Sequence, residues 1–79
     1  MFQLYGTYLC HTVLEAIRRH KASVKEILQD IAPAGMDERE QRNLQKRVRH
    51  ALRTLEAEGY VEKEWVFIDK IPVQHFKLV

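Results

Sequence analysis

The feature that most constrains this chain is the stretch RVRHALRTLEAEGYVEK, at positions 47–63. It continues an amphipathic pattern in which apolar residues recur at helical spacing. These residues are Leu44, Val48, Ala51, Leu52 and Leu55. Gly59 then stands where helices commonly close with a left-handed residue, and β-branched and aromatic residues follow at once. The stretch therefore predicts a long helix that passes almost directly into a strand.

Two shorter helices are predicted upstream of this long helix. An apolar stripe at Cys10, Val13, Leu14 and Ile17 predicts the first, over residues 7–19. Ser23 and Glu26 are spaced as a capping box, in which the serine side chain accepts from the third amide and the glutamate reaches back. This box predicts a second helix over 24–31, which Pro33 helps to end.

A second capping box, at Asp37 and Glu40, predicts that the long third helix covers residues 37–58. The remaining segment predicts two strands, near 60–67 and 73–79, joined through the sequence IDKIP. In the second strand, apolar and polar side chains alternate from His75 to Leu78, which predicts one buried and one solvent-facing side. The first strand is apolar on both sides, so the pattern leaves its register open.

Composition and size fit one small α+β domain over residues 1–79. Residues 1–6 form an apolar N-terminal arm without a basic start, so they do not resemble a signal peptide. No apolar run approaches the roughly 20 residues of a membrane span. We therefore expect a cytoplasmic protein, in a nucleoid or a host-cell interior, that is neither secreted nor bound to a membrane.

Few residues suggest a catalytic, metal-binding or ligand-binding role. The single cysteine, Cys10, excludes an internal disulfide and is expected to pack in the core. The four histidines are scattered, and neither a glycine-rich phosphate loop nor a nucleophile motif is present. We therefore expect no enzymatic activity, no metal, no cofactor and no small-molecule ligand. Trp65 is expected in the core, with stacking on a base or a ligand as the alternative.

The third helix carries an unusual concentration of positive charge. Between positions 42 and 53 there are five Lys or Arg residues and no Asp or Glu. Four of them fall within an arc of about 60° opposite the apolar stripe, and we call these four the basic stripe. It consists of Arg42, Lys46, Arg49 and Arg53. Like charges at this spacing cost roughly 0.2–0.5 kcal/mol per neighbouring pair, and a polyanion would turn that repulsion into attraction.

Several polar side chains accompany the basic stripe. Arg39, Gln45 and His50 border it, and Lys70 falls near the tip of the predicted hairpin. Arginine can pair bidentately with guanine edges, and lysine neutralises phosphates. The stripe and these residues are thus candidate nucleic-acid contacts. The alternative is a helix face that is merely solvated.

The order of three helices and a hairpin resembles the winged-helix family, a helix-turn-helix variant with a C-terminal β-hairpin wing. The capped start SVKEIL and the block VRHALRTLEAEGYVEK carry this resemblance. It implies that nucleic acid docks on the third helix. Two features depart from the family: a link between helices 2 and 3 longer than the usual turn, and the carboxylates of Asp37, Glu38 and Glu40 at the start of helix 3.

The sequence therefore predicts a small, stand-alone winged-helix protein that binds double-stranded DNA, of the kind that regulates transcription in viral and prokaryotic systems. The alternative is a winged-helix interaction module whose basic face docks an acidic protein. The apolar N-terminal arm suggests a homodimer, in which two basic stripes would span two half-sites. The alternative is that the arm packs on the core of its own domain and forms no dimer contact.

Overall fold

The computed structural model describes the backbone of residues 6–79 and the side chains of residues 8–79. Three helices precede a two-stranded antiparallel hairpin, so the predicted α+β class and order of elements are confirmed. The helices are α1 (Gly6–Arg18), α2 (Val24–Ile31) and α3 (Glu38–Ala57); the strands are β1 (Val61–Ile68) and β2 (Ile71–Leu78). Each helix boundary lies within one residue of its prediction.

Local hydrogen bonds explain where α2 and α3 begin. The Glu26 amide donates to the Ser23 hydroxyl over 3.2 Å, and the Glu40 amide donates to the Asp37 carboxylate over 2.8 Å. In both cases the glutamate side chain accepts from the amide of the capping residue, so both predicted capping boxes are confirmed. The link between the two helices runs from residue 32 to residue 37 and is longer than a usual turn, as expected.

The end of α3 sets the direction in which the hairpin leaves the helices. Gly59 has φ of +84°, which confirms the left-handed closure. Its amide donates to the Glu56 carbonyl over 3.1 Å, and the Tyr60 amide donates to the Leu55 carbonyl over 2.9 Å. This pair of bonds is the Schellman motif. Helix α1 ends in the same way, with His20 at φ of +67° in the position that Gly59 occupies in α3.

The hairpin turn differs from the prediction. Strand β1 runs on to Ile68 and pairs with Ile71, so only Asp69 and Lys70 lie in the turn. Both residues have positive φ, +52° and +66°, as a type I′ turn requires. The predicted five-residue connection IDKIP was therefore wrong: three of its residues belong to the strands.

The core lies between the three helices and the base of the hairpin. Helices contribute most of it, and the hairpin contributes Val61 and Phe76. The Phe76 amide also donates to the Ala22 carbonyl over 2.8 Å, which ties β2 to the link between α1 and α2. Cys10 packs partly buried against this core, as predicted, and burial, with the Glu58 charge as the lesser cause, raises the pKa of its thiol.

Two expectations about the hairpin were wrong. Trp65 is 64% exposed rather than in the core, and Leu78 is 41% exposed although Phe76 on the same strand is buried. Trp65 is exposed because the strands extend beyond the helices, which cover only the residues around Val61 and Phe76. Leu78 pairs with Val61 at the base of the hairpin, so the structure gives no such reason for its exposure. The N-terminal arm, and the homodimer expected from it, fall almost wholly outside the described residues. No described helix is long and apolar enough to cross a bilayer.

Candidate nucleic-acid interface

The basic stripe occupies the side of α3 that faces away from the core. Leu44, Val48 and Leu52 bury the opposite side, while Arg42, Lys46, Arg49 and Arg53 are all exposed. None of these four cations forms an ion pair with a described residue. The stripe is therefore available to an external anion, and its like charges repel one another until they meet one.

Several charges on the other elements form ion pairs within the chain. Glu15 accepts from Arg18 on α1 over 2.8 Å, Asp30 accepts from Arg19, and Lys77 lies 3.6 Å from Glu64 across the hairpin. Exposed pairs of this kind contribute little stability individually. Because positive and negative side chains are mixed on the other elements, the uninterrupted positive charge is a local property of α3 and does not follow from the overall Lys and Arg content of the chain.

An open groove of about 1130 Å³ runs beside the basic stripe, between α2, α3 and the hairpin. Polar residues one helical turn apart on α3 form its floor. These are Gln41, Gln45, Arg49 and Arg53. The first turn of α2, including Lys25, forms one wall, and the hairpin forms the other from Lys63 and residues 72–76.

The charge lining this groove is mainly positive. Its cations are Lys25, Arg49, Arg53 and Lys63, whereas its carboxylates are Glu26 and Glu56. Glu26 is engaged in the capping box of α2, and Glu56 lies 3.6 Å from Lys63. Both carboxylates are thus occupied, and the unpaired charge that remains is cationic.

The other predicted contacts are distributed around this groove. Arg42 lines a smaller cleft of about 270 Å³ between α2 and α3. Lys46, Arg39 and His50 are exposed on α3 but do not line the groove. Lys70 is exposed in the hairpin turn. The structure thus brings Gln45, Arg49 and Arg53 together and leaves the remaining five outside the groove.

The carboxylates at the start of α3 are less of an obstacle to the binding of an anion than their number suggests. Asp37 and Glu40 bind backbone amides in the capping box, and Glu38 is one of the residues that line the α2–α3 cleft. Only the first turn of α3 carries them. The basic stripe begins one turn later, at Arg42.

Gln41 and Lys25 are groove residues that the sequence analysis did not identify. Gln41 lies four positions before Gln45, so helical spacing alone could have added it to the set. Lys25 could not have been found in this way, because its place in the groove depends on how α2 packs against α3. No group of three potential metal ligands occurs among the residues that the structure describes.

The arrangement can recognise an extended anion. Guanidinium groups pair with phosphates or guanine edges, and a glutamine can bond the edge of adenine. The groove walls carry further cations that could hold the flanking backbone. No protein-family model, no curated protein and no solved structure matches the chain.

Proposed function

We propose that this chain is a winged-helix protein that binds double-stranded DNA through the basic face of α3, and that it acts as a transcriptional regulator. The observation that carries the proposal is the basic stripe, four exposed cations without a described ion-pair partner on one helix face. Repulsion within the stripe has no structural benefit to the free protein. Counterion release from a duplex would convert it into binding free energy.

The surroundings of α3 support a duplex rather than a small anion. The groove is open, and the hairpin forms one of its walls beside α3, where the proposed winged-helix fold would have its wing. A B-DNA major groove about 12 Å wide admits one helix, which would place the cations of α2 and the hairpin near the flanking phosphates.

Individual residues would then have different roles. Arg49 and Arg53, with Gln45, face the groove and are the candidates for contact with base edges. Arg42, Lys46, Arg39 and His50 lie around them and would meet phosphates. Lys70, at the tip of the hairpin, would reach the backbone farther along the duplex.

A second candidate is a protein-interaction module that docks an acidic partner. The observation in its favour is the hairpin, whose distal half exposes Trp65, Phe67 and Ile71. Apolar side chains exposed together mark protein contacts more often than phosphate contacts. The two candidates differ in whether the chain binds duplex DNA without another protein.

The test is the salt dependence of duplex binding by matched variants. Arg42→Ala with Lys46→Ala removes two exposed cations of α3 that would meet phosphates. Arg18→Ala with Lys77→Ala removes two exposed cations from a separate cleft between α1 and the hairpin. Each lost phosphate contact lowers the slope of log affinity against log salt by about 0.9. Both proteins should bind more weakly when the salt is raised from about 50 to 200 mM, but the loss of affinity should be about ten times smaller for the first variant than for the parent.

The control variant should keep the parental slope, and circular dichroism should show both variants folded. A folded Arg42/Lys46 variant that binds duplex DNA with the parental affinity and slope would contradict the proposal. Failure of the parent protein to bind any duplex at about 50 mM salt would favour the interaction module.

A further inference from the structure

One cation of the groove is already paired in the free protein. The Lys63 ammonium, on β1, lies 3.6 Å from the carboxylate of Glu56, in the last turn of α3. Both side chains line the groove, and they are 49% and 34% exposed. Salt screens a partly buried pair less than a fully exposed one. The free protein therefore holds this lysine beside a carboxylate instead of presenting it to an external anion.

Glu56 differs from Glu26, the other carboxylate that lines the groove. Glu26 accepts from the Ser23 amide in the capping box, so it helps to start α2. Glu56 caps no helix, and a carboxylate in the last turn of a helix is opposed by the helix dipole. The presence of Glu56 is therefore not explained by the stability of α3.

Glu56 is also placed where it would oppose a bound phosphate. Arg53 lies three positions before it on α3, and both side chains line the groove. Residues at this spacing are neighbours on a helix surface. A phosphate bound by Arg53 would therefore come close to the Glu56 carboxylate, and like charges at short range repel. The same phosphate would attract Lys63 from the hairpin wall.

We propose that Glu56 limits the affinity of the groove for duplex DNA by holding Lys63, and that Lys63 exchanges this carboxylate for a phosphate when the groove is occupied. The inference rests on the proposed function and assigns roles to two more residues of the same site. The exchange breaks one ion pair, forms another and leaves Glu56 beside the bound backbone. Because the phosphate backbone carries no sequence information, Glu56 lowers the affinity for all duplexes alike.

A purely structural role for this ion pair is the alternative. Glu56 belongs to α3 and Lys63 to β1, so the pair could fix the base of the hairpin against the helix. Loss of the carboxylate would then lower the melting temperature and leave the affinity for DNA unchanged. The two roles therefore differ in what happens to DNA binding.

Glu56→Gln tests the proposal because it removes the charge and nearly keeps the shape of the side chain. Glu64→Gln is the matched control, since Glu64 lies at the same distance of 3.6 Å from Lys77 and does not line the groove. Each substitution removes one negative charge. The assay is fluorescence anisotropy with a labelled random-sequence duplex at about 100 mM salt. Glu56→Gln should bind about two to five times more tightly than the parent, and Glu64→Gln should stay within about 1.5-fold of it.

The role of Lys63 is tested by the salt dependence of the same measurement. Lys63→Ala removes one phosphate contact, so it should lower the slope of log affinity against log salt by about 0.9. Lys77→Ala is its matched control and should keep the parental slope, because Lys77 lies outside the groove. Thermal melts followed by circular dichroism should show all four variants folded.

Two results would each overturn the proposal: Glu56→Gln binding no more tightly than Glu64→Gln, or Lys63→Ala keeping the parental slope. The proposed function still stands in either case if Arg42→Ala with Lys46→Ala loses slope as expected. If that double variant also keeps the parental slope, or if the parent binds no duplex, the proposed function fails and this inference fails with it.

Discussion

Replacement of Gly59 tests the junction that orients the hairpin on the helices. Gly59 has φ of +84°, and a Cβ placed there meets no atom within 4 Å. The cost of any side chain at this position is therefore conformational rather than steric. A left-handed conformation costs an L-residue roughly 1–2 kcal/mol, and a β-branched side chain is the least tolerant of it.

The expected losses form a series. Gly59→Asn should lower the free energy of unfolding by a few tenths of a kcal/mol, because asparagine tolerates this region. Gly59→Ala should cost about 1 kcal/mol, since the lower entropy of its unfolded chain offsets part of the strain. Gly59→Val should cost about 2 kcal/mol, which lowers the melting temperature of so small a domain by on the order of 10 °C.

Urea denaturation, followed by circular dichroism, measures the series, and two other positions serve as controls. Gly35 has φ of +82° and equally open surroundings, so Gly35→Ala should cost about as much as Gly59→Ala. His20 closes α1 at φ of +67°, so His20→Gly should instead stabilise the protein by about 0.5–1 kcal/mol. Equal costs for asparagine and valine at Gly59, or an unchanged melting temperature in Gly59→Val, would refute the reasoning.

Three further predictions concern the interface and the core. Lys46→Ala should weaken binding to all duplex sequences alike and lower the salt slope by roughly one, as fluorescence anisotropy at several salt concentrations would show. Arg49→Ala should cost about 1–3 kcal/mol and relax preference at one base position, which selection from random DNA would detect. Burial raises the pKa of the Cys10 thiol above its ordinary value of 9.0, so this thiol loses its proton at a lower pH in the unfolded chain than in the folded one. The free energy of unfolding therefore falls as the pH rises above about 9. Cys10→Ala should remove that part of the loss in urea melts compared between pH 7 and 10.

The helices were predictable because their limits depend on neighbouring residues. Ser23 with Glu26, and Asp37 with Glu40, satisfy amides within three positions, so the spacing alone identifies each start. Gly59 was equally informative, because few other residues tolerate its φ. Local chemistry of this kind does not depend on what the rest of the chain packs against.

The hairpin was less predictable because the residues in its turn and second strand are unusual for those positions, and because its packing depends on distant parts of the chain. Asp69 and Lys70 form a turn that usually contains glycine, and Pro72 argues against a strand. Pro72 is tolerated because the alternation of hydrogen bonds points its nitrogen away from β1. The exposure of Trp65 depends on how far the strands extend past the helices, which no periodicity reveals.

The same limit applies to the candidate interface. The basic stripe follows from helical spacing within α3. The groove beside Arg49 and Arg53 needs α2 and the hairpin in place. The sequence could therefore identify the charged face but not which of its members share a cavity with Lys25 and Lys63.

The hydrogen bond from the Phe76 amide to the Ala22 carbonyl has a consequence for the folding kinetics. It closes a loop that contains α2, α3 and β1, so more than half of the chain must be ordered around one contact. The entropy of such a closure costs about 3–4 kcal/mol, whereas each capping box and the two-residue turn close only a few residues. Helices and hairpin can therefore form in microseconds, and we expect the docking of β2 against the end of α1 to be the slow step of folding.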